Sequence, residues 1–180
     1  LVGSEMCIRD RSLVAMLISE HGEQQTEKIV SGWVKNLAVS PLSNDTKVME
    51  AILMGRCDVG IVNSYYFGRM QQETPDIPLR LFWPNQNIEG SGVHVNVAGA
   101  GIVKHSKKVD AARRFLEWLV GTEAQAIFSG VNQEYPVNSS AEKSDLVAAW
   151  GGFVASPLPL SDAYILQPDA VRLMDRVGYK

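Results

Sequence analysis

The sequence is poor in the features that define several classes of protein. Only two of its 180 residues are cysteines, Cys7 and Cys57, and their spacing matches neither a thiolate metal site nor a disulfide framework. Cys57 lies in an apolar stretch, which predicts a buried thiol. No apolar run approaches the roughly 18 residues of a membrane-spanning helix. The net charge of −3 argues against a nucleic-acid partner, because phosphate binding needs clustered Lys and Arg.

Catalytic motifs are also missing from the sequence. It contains no Gly-x-Ser-x-Gly, P-loop, His-Glu-x-x-His or calcium-loop pattern. Residues 99–101 read Gly-Ala-Gly, but they lack the third glycine of a dinucleotide fingerprint and the helix that should follow. The histidines His21, His94 and His105 are scattered, and the pairing of His94 with Asn96 is equally compatible with the wet face of a strand. We therefore expect no enzymatic activity.

The most distinctive feature that is present is the adjacent pair Tyr65 and Tyr66, which follows a short apolar run. Phenolate oxygen is a hard, anionic donor, and hard cations prefer oxygen ligands. A free tyrosine titrates near ~10, so a phenolate at neutral pH requires a strong positive partner such as a bound high-charge cation. The pair therefore indicates ferric iron rather than zinc, calcium or magnesium, although most such dipeptides are packing or surface residues.

Hydrophobic periodicity predicts helices that alternate with short strands, and the length suits one domain or two small lobes. A helix capped by Asn44 or Asp45 should bury Leu53 and close at Gly55, and a capping box of Thr122 with Gln125 should start another. This order of elements is that of an α/β sheet protein. The other predicted helices cover residues 13–20, 23–37, 107–120, 146–150 and 170–177, and the predicted strands cover 58–62, 79–83 and 93–97.

Residues 1–11 read LVGSEMCIRDR and show no cap, no periodicity and no signal-peptide layout. They resemble translated adapter sequence at the end of an assembled fragment. We expect a non-native segment here, a native chain that begins near Ser12, and an upstream portion that is missing. The alternative is a natural, poorly ordered N-terminus.

Several segments taken together resemble a known family. The chain is similar, from about Ser12 to its end, to the periplasmic ferric-iron-binding proteins of bacterial ABC transporters, in the branch that ligates iron mainly through tyrosines. The segments that carry the resemblance are DVGIVNSYY (58–66), VHVNVAGAG (93–101), AARRFLEWL (111–119), EAQ (123–125), EYPV (134–137) and LMDRVGYK (173–180).

The resemblance implies an α/β, type II periplasmic binding protein fold that is partial. Residues 12–90 would form a second-lobe portion that carries the tyrosine pair. Residues 91–180 would form a crossover strand and C-terminal helices that pack on the first lobe. The protein would be the substrate-binding component of an ABC transporter, located in the periplasm with its signal peptide upstream. It would be a monomer when full length, and it would deliver ferric iron from an interlobe cleft to a permease in the inner membrane.

The resemblance also implies the site. Tyr65 and Tyr66 match the family's adjacent tyrosine ligands of Fe³⁺, and Asn63 matches a position that contacts a synergistic anion in some relatives. Another ligand tyrosine of the relatives would fall near Arg9, and the remaining ligands would lie in the absent half. Because neighbouring strand residues point to opposite faces, the backbone should leave strand geometry at Tyr65, and Gly68 should give it further freedom. The segments 82–92 and 93–101 are the expected crossings between lobes.

Two other classes of function stay open at this point. The same fold could hold another small solute, such as a polyamine or an organic anion, with acidic or basic residues in place of the phenols. A regulatory effector-binding domain or an enzyme could also share the architecture, although no catalytic constellation supports an enzyme.

Overall fold

The computed structural model describes residues 8–87 and 91–179, and these form helices joined by extended and irregular segments. The chain folds into two compact units. The first contains the described parts of Leu1–Asn63, Asp76–Asn96 and Phe153–Lys180, and the second contains Ser64–Pro75 and Val97–Gly152. The helices are α1 Ile8–His21, α2 Glu23–Lys35, α3 Asp45–Leu53, α4 Ser64–Glu73, α5 Val109–Leu119, α6 Thr122–Ile127, a π-helix Phe128–Asn132, α7 Asp145–Ala149 and α8 Leu160–Val177.

The main core of the first unit lies between α1, α2 and α8. Gly178 adopts φ 78° and ends α8, and the backbone N–H of Tyr179 then donates to the carbonyl of Met174 over 3.0 Å. This left-handed cap turns the Tyr179 ring back into the core, where it meets Trp33 edge-on with ring centroids 6.5 Å apart. The fully buried members of the core are Val14, Ala15, Val30, Ala170, Leu173 and Met174.

The helices α1 and α8 both begin earlier in the sequence than predicted. α1 begins at Ile8 instead of residue 13, because the helix continues through Arg9 and Asp10, whose buried side chains form an ion pair. α8 begins at Leu160 instead of residue 170 and contains Pro168, whose missing N–H removes one bond of the helix. Residues 1–7 lie outside the described part, and a non-native origin of residues 1–11 stays a prediction.

The helix α3 starts as predicted and packs differently at its end. The Asn44 side chain accepts a hydrogen bond from the backbone N–H of Lys47 over 2.9 Å, which confirms Asn44 as the cap. Val48 is buried beside Cys57, as expected for an apolar site. Leu53, which was predicted to face inward, is 42% exposed, because it lies on the solvent side of the last turn.

The predicted strands have no ladder within residues 8–87 and 91–179. Segment 79–83 contains no strand or bridge residue, and segment 58–62 contains one bridge residue, Gly60. Segment 93–97 contributes an isolated parallel bridge from Val93 to Ala155. Val93 accepts from the N–H of Ser156 and donates to the carbonyl of Val154, each over 2.9 Å. A strand exists only with a paired neighbour, and pairing depends on residues far apart in sequence, which local alternation does not report.

The second unit contains the helices α4 to α7 and buries little apolar surface. Its buried hydrophobic side chains are those of Phe67, Ala124 and Val147. No residue of α5 is buried, and Phe115 and Trp118 stack at 5.9 Å between centroids while 56% and 43% exposed. The apolar stripe of this helix is partly covered: Ala112, Leu116 and Leu119 are half-buried, whereas Val109 is 41% exposed.

The predicted capping box at α6 is wrong. The N-cap residue is Gly121 and it makes no side-chain bond. The Gln125 side chain instead donates to the carbonyl of Leu119 over 2.8 Å and accepts from the N–H of Val137 over 2.8 Å, so its amide joins the end of α5 to the segment at Val137.

Among the described helices, none is long and apolar enough to cross a membrane. The division of the native fold near residue 90 stays a prediction.

Candidate metal centre at the start of α4

The tyrosine pair lies in the first turn of α4. The helix begins at Ser64, so both tyrosines have helical and not strand geometry, as expected. The rings of Tyr65 and Tyr66 are half-buried and lie with centroids 4.4 Å apart and planes inclined by 35°. Adjacent residues of a strand would point their phenols to opposite faces, whereas here the two phenols lie together.

Arg69 places a cation against both rings of the tyrosine pair. Its guanidinium carbon lies 5.2 Å from the ring centroid of Tyr65 and 5.6 Å from that of Tyr66. Both distances fall within the range of a cation–π contact. Sequence reasoning missed Arg69, although the signal was available: it follows the two tyrosines by four and three positions, which places all three on one face of a helix.

The helix is held in place by a close approach at Gly68. A Cβ at this position would lie 2.5 Å from Cβ of Gln133 and 2.8 Å from Cη2 of Trp150, so only glycine fits. Trp150 also contacts Phe67 at 6.0 Å between ring centroids and donates from Nε1 to Oε1 of Gln71 over 3.0 Å. Gly68 therefore permits tight packing, and the backbone freedom that was predicted for it is not its role.

The segment that packs against Gly68 is itself unusual. The π-helix Phe128–Asn132 precedes Gln133, which is 2% exposed and adopts the left-handed conformation at φ 61°. Its amide donates to the carbonyl of Gly130 over 2.8 Å and accepts from Oγ of Ser144 over 3.3 Å. A buried non-glycine residue persists in this conformation only when its surroundings fix it.

Asn63 precedes α4 and belongs to the first unit. Its backbone N–H and its Nδ2 both donate to Oδ2 of Asp45, over 2.8 and 3.2 Å. Its Oδ1 accepts from Nδ2 of Asn96 over 3.3 Å. One N–H of the Asn63 amide is not used by these bonds. Asp45 and Asn96 were missed as partners, because their 18- and 33-residue separations from Asn63 leave no local signal.

The other candidate metal ligands among the described residues do not cluster into a metal site. No group of three or more His, Cys, Asp or Glu side chains that could hold a metal occurs among residues 8–87 and 91–179. His94 is engaged through Nε2 with Oγ of Ser12 at 2.9 Å and Oδ1 of Asn96 at 3.1 Å, while His21 lies 3.5 Å from Glu20. The candidate metal-binding groups that the described residues bring together at α4 are thus two phenol side chains.

Tyr135 provides a contrast to the pair and is structural, as expected. Its hydroxyl donates to the carbonyl of Gly151 over 3.2 Å, and its ring packs 6.1 Å from that of Trp150. Burial raises the pKa of Tyr135, which keeps this phenol protonated.

Comparison with known proteins identifies the family. The model of the family described as bacterial extracellular solute-binding protein matches residues 19–155. The chain belongs to this family. Iron uptake protein A2 of Synechocystis is 39% identical over 100% of this chain, and the chain spans 54% of that relative's length.

Solved structures agree in fold. A Trichodesmium protein, FutA in complex with iron and citrate ligands, superposes with a TM-score of 0.93 at 38% identity, over 99% of this chain and 58% of that one. The apo ferric ion-binding protein A of Pasteurella haemolytica gives a TM-score of 0.90 at 32% identity, over 99% and 56%. The expected resemblance and the partial periplasmic binding protein fold are thereby confirmed. The roles of Tyr65, Tyr66 and Asn63 stay predictions.

Proposed function

We propose that this chain belongs to the substrate-binding component of an ABC transporter that captures ferric iron through the phenolates of Tyr65 and Tyr66. The names of its relatives support iron as the cargo: one is an iron uptake protein, another is a ferric ion-binding protein, and a third was solved with iron. The polyamine or organic-anion alternative gains no support from these names.

The observation that carries the proposal is the placement of two phenol rings 4.4 Å apart in one helical turn. Hard oxygen donors suit a hard trivalent ion, and the metal's charge stabilises the phenolate form. Two phenolates offset only two of the three positive charges, so further anionic donors are needed.

A small anion is one source of those donors. The citrate bound with iron in the Trichodesmium protein supports a synergistic anion. The unused N–H of the Asn63 amide is a suitable donor to such an anion.

The proposed role involves binding and release without catalysis. The protein would work in the periplasm and present iron to a permease in the inner membrane, in keeping with a family of extracellular solute-binding proteins. As a full-length monomer it would draw its remaining ligands from the portion of the fold that this chain does not span.

A ferric titration tests this function. This chain, extended by the portion of the fold that supplies the remaining ligands, is titrated with ferric nitrilotriacetate, and phenolate-to-iron charge transfer should give a visible band. Tyr65→Phe with Tyr66→Phe should abolish the band, because both proposed donors are removed. Tyr164→Phe, at a tyrosine of α8 that is 81% exposed, is the matched control and should keep it. Colour and affinity that survive the double substitution would refute the ligand assignment.

A further inference from the structure

Asp45 is a buried carboxylate whose two oxygens are both used inside the protein. Only 4% of its surface is exposed. Arg9 donates from Nη1 to Oδ1, and Asn63 donates to Oδ2 from its backbone N–H and from its side chain. A carboxylate taken out of water is tolerated only with such donors. Because both oxygens are occupied, the carboxylate acts as an internal anchor.

Asp45 lies on a helix, α3, whose position is fixed by its packing. Asp45 is the first residue of α3, where a carboxylate also interacts favourably with the helix dipole. The Asn44 cap holds this end of the helix, and Val48, Met49 and Ala51 are buried beneath it. The position of the Asp45 side chain therefore follows from the packing of α3.

Asn63 is fixed at two points by this anchor. The backbone bond of 2.8 Å fixes the course of the main chain, and the side-chain bond of 3.2 Å fixes the rotamer. Asn96 adds a third bond on the other side of the Asn63 amide, and the network continues through His94 to Ser12. Asn96 is exposed, so the firm part of this network is the pair of bonds that Asn63 donates to the buried carboxylate of Asp45.

We infer that Asp45 is a positioning residue for the chain that enters α4, because it fixes Asn63, the residue that directly precedes this helix. The backbone torsions of Asn63 and Ser64 decide where the first turn of α4 begins, and that turn carries Tyr65 and Tyr66. The inference rests on the proposed function only in naming these two tyrosines as ligands. A carboxylate is required at position 45, because an amide there offers one acceptor oxygen to three donors.

Hydrogen exchange tests the anchor without iron. Exchange of peptides across residues 61–67 is compared in the full 180-residue chain and in Asp45→Asn and Asp45→Ala. Faster exchange at 61–67 with unchanged exchange in α8 is the expected result. Glu50→Ala is the matched control, since Glu50 lies on the same helix and pairs with Lys47 at the surface over 2.6 Å. Wild-type exchange at 61–67 in both Asp45 variants would overturn the inference.

A second variant covers the case in which Asp45→Ala does not fold. Asn63→Ala removes the side-chain bonds to Asp45 and Asn96 and leaves the pair of Arg9 with Asp45 intact. It should also speed exchange at 61–67, and unchanged exchange there would count against the anchor.

The iron readout then separates a positioning role from a merely structural one. Ferric titration of Asp45→Asn in the extended chain should show an affinity about tenfold weaker than wild type and an altered charge-transfer band, as expected when a supporting partner of a metal site is lost. Faster exchange with wild-type iron affinity and spectrum would refute the positioning role. If the extended wild-type chain gives no band, the proposed function fails, and the exchange result alone decides whether Asp45 fixes the start of α4.

Discussion

Arg69 lies over the ring of Tyr65, with its guanidinium carbon 5.2 Å from the ring centroid, and it also reaches the ring of Tyr66. A planar cation on one turn of α4 thus bridges the two phenols on the preceding turn. This contact helps to hold the two rings together.

Removal of the Arg69 guanidinium should destabilise α4. Arg69→Ala should lower the free energy of unfolding by about 0.5–1 kcal/mol, the usual size of an exposed cation–π contact. Arg69→Lys should lower the free energy of unfolding by less, because lysine keeps the positive charge and loses only the planar stacking. Urea unfolding followed by far-UV circular dichroism measures both, with the exposed Arg80→Ala as control. A loss in Arg69→Ala no larger than that in the control would contradict the bridging role.

Two glycines make a matched pair for a packing prediction. Gly68→Ala should destabilise the protein by about 1–3 kcal/mol, because the new methyl overlaps Gln133 and Trp150. Gly32→Ala, inside α2 with no atom within 4 Å of the added Cβ, should stabilise by about 0.5–1 kcal/mol. Thermal unfolding of the two variants gives the comparison. Equal shifts of the same sign would show that the contact at Gly68 is not tight.

The stability of the first unit should depend on the charge of His94. Burial lowers the pKa of His94 below its ordinary value of 6.5, and the hydrogen bond with Asn96 opposes this shift more weakly. As the pH falls below that ordinary value, the unfolded chain takes up a proton that the folded protein does not. The contribution of His94 to stability is therefore complete above it and is lost as the pH falls through the lowered folded-state pKa.

Urea unfolding between about pH 7.5 and pH 5.5 measures this effect. His94→Gln should reduce the loss of stability on acidification relative to wild type. His105→Gln, at an exposed histidine, should leave the loss unchanged. Identical pH dependence of wild type and His94→Gln would contradict the prediction.

Cys57 should be an unreactive thiol. Burial is the main reason that its pKa is raised, and the nearby carboxylate of Asp58 adds to the shift. In a Cys7→Ser background, Ellman's reagent should modify native Cys57 on the order of tenfold or more slowly than the urea-unfolded chain, because the thiolate is the reactive form. Equal rates would place the thiol at the surface.

The local signals of the sequence were sufficient for most helices. The predicted helix at 107–120 differs from α5 Val109–Leu119 by one or two residues at each end, and the Asn44 cap was identified correctly. Both depend on residues within one or two turns of one another. The tyrosine pair was also visible, since its meaning comes from adjacent residue types.

The structural features that the sequence did not predict depend mainly on contacts between residues far apart in the chain. The strand at 58–62 was predicted from an apolar run, but a run contains no information about a partner. The Asp45 anchor of Asn63 and the fit of Gln133 against Gly68 join positions 18 and 65 residues apart, which no periodicity connects. Arg69 is the exception, because its helical spacing from the tyrosines was readable.

The central claim is that Tyr65 and Tyr66 bind ferric iron directly. A crystal structure of the iron-loaded protein, with data collected at the iron absorption edge, tests this most directly. We expect an anomalous-difference peak bonded to the hydroxyl oxygens of both tyrosines. An iron peak elsewhere on the chain, with neither hydroxyl coordinated, would contradict it.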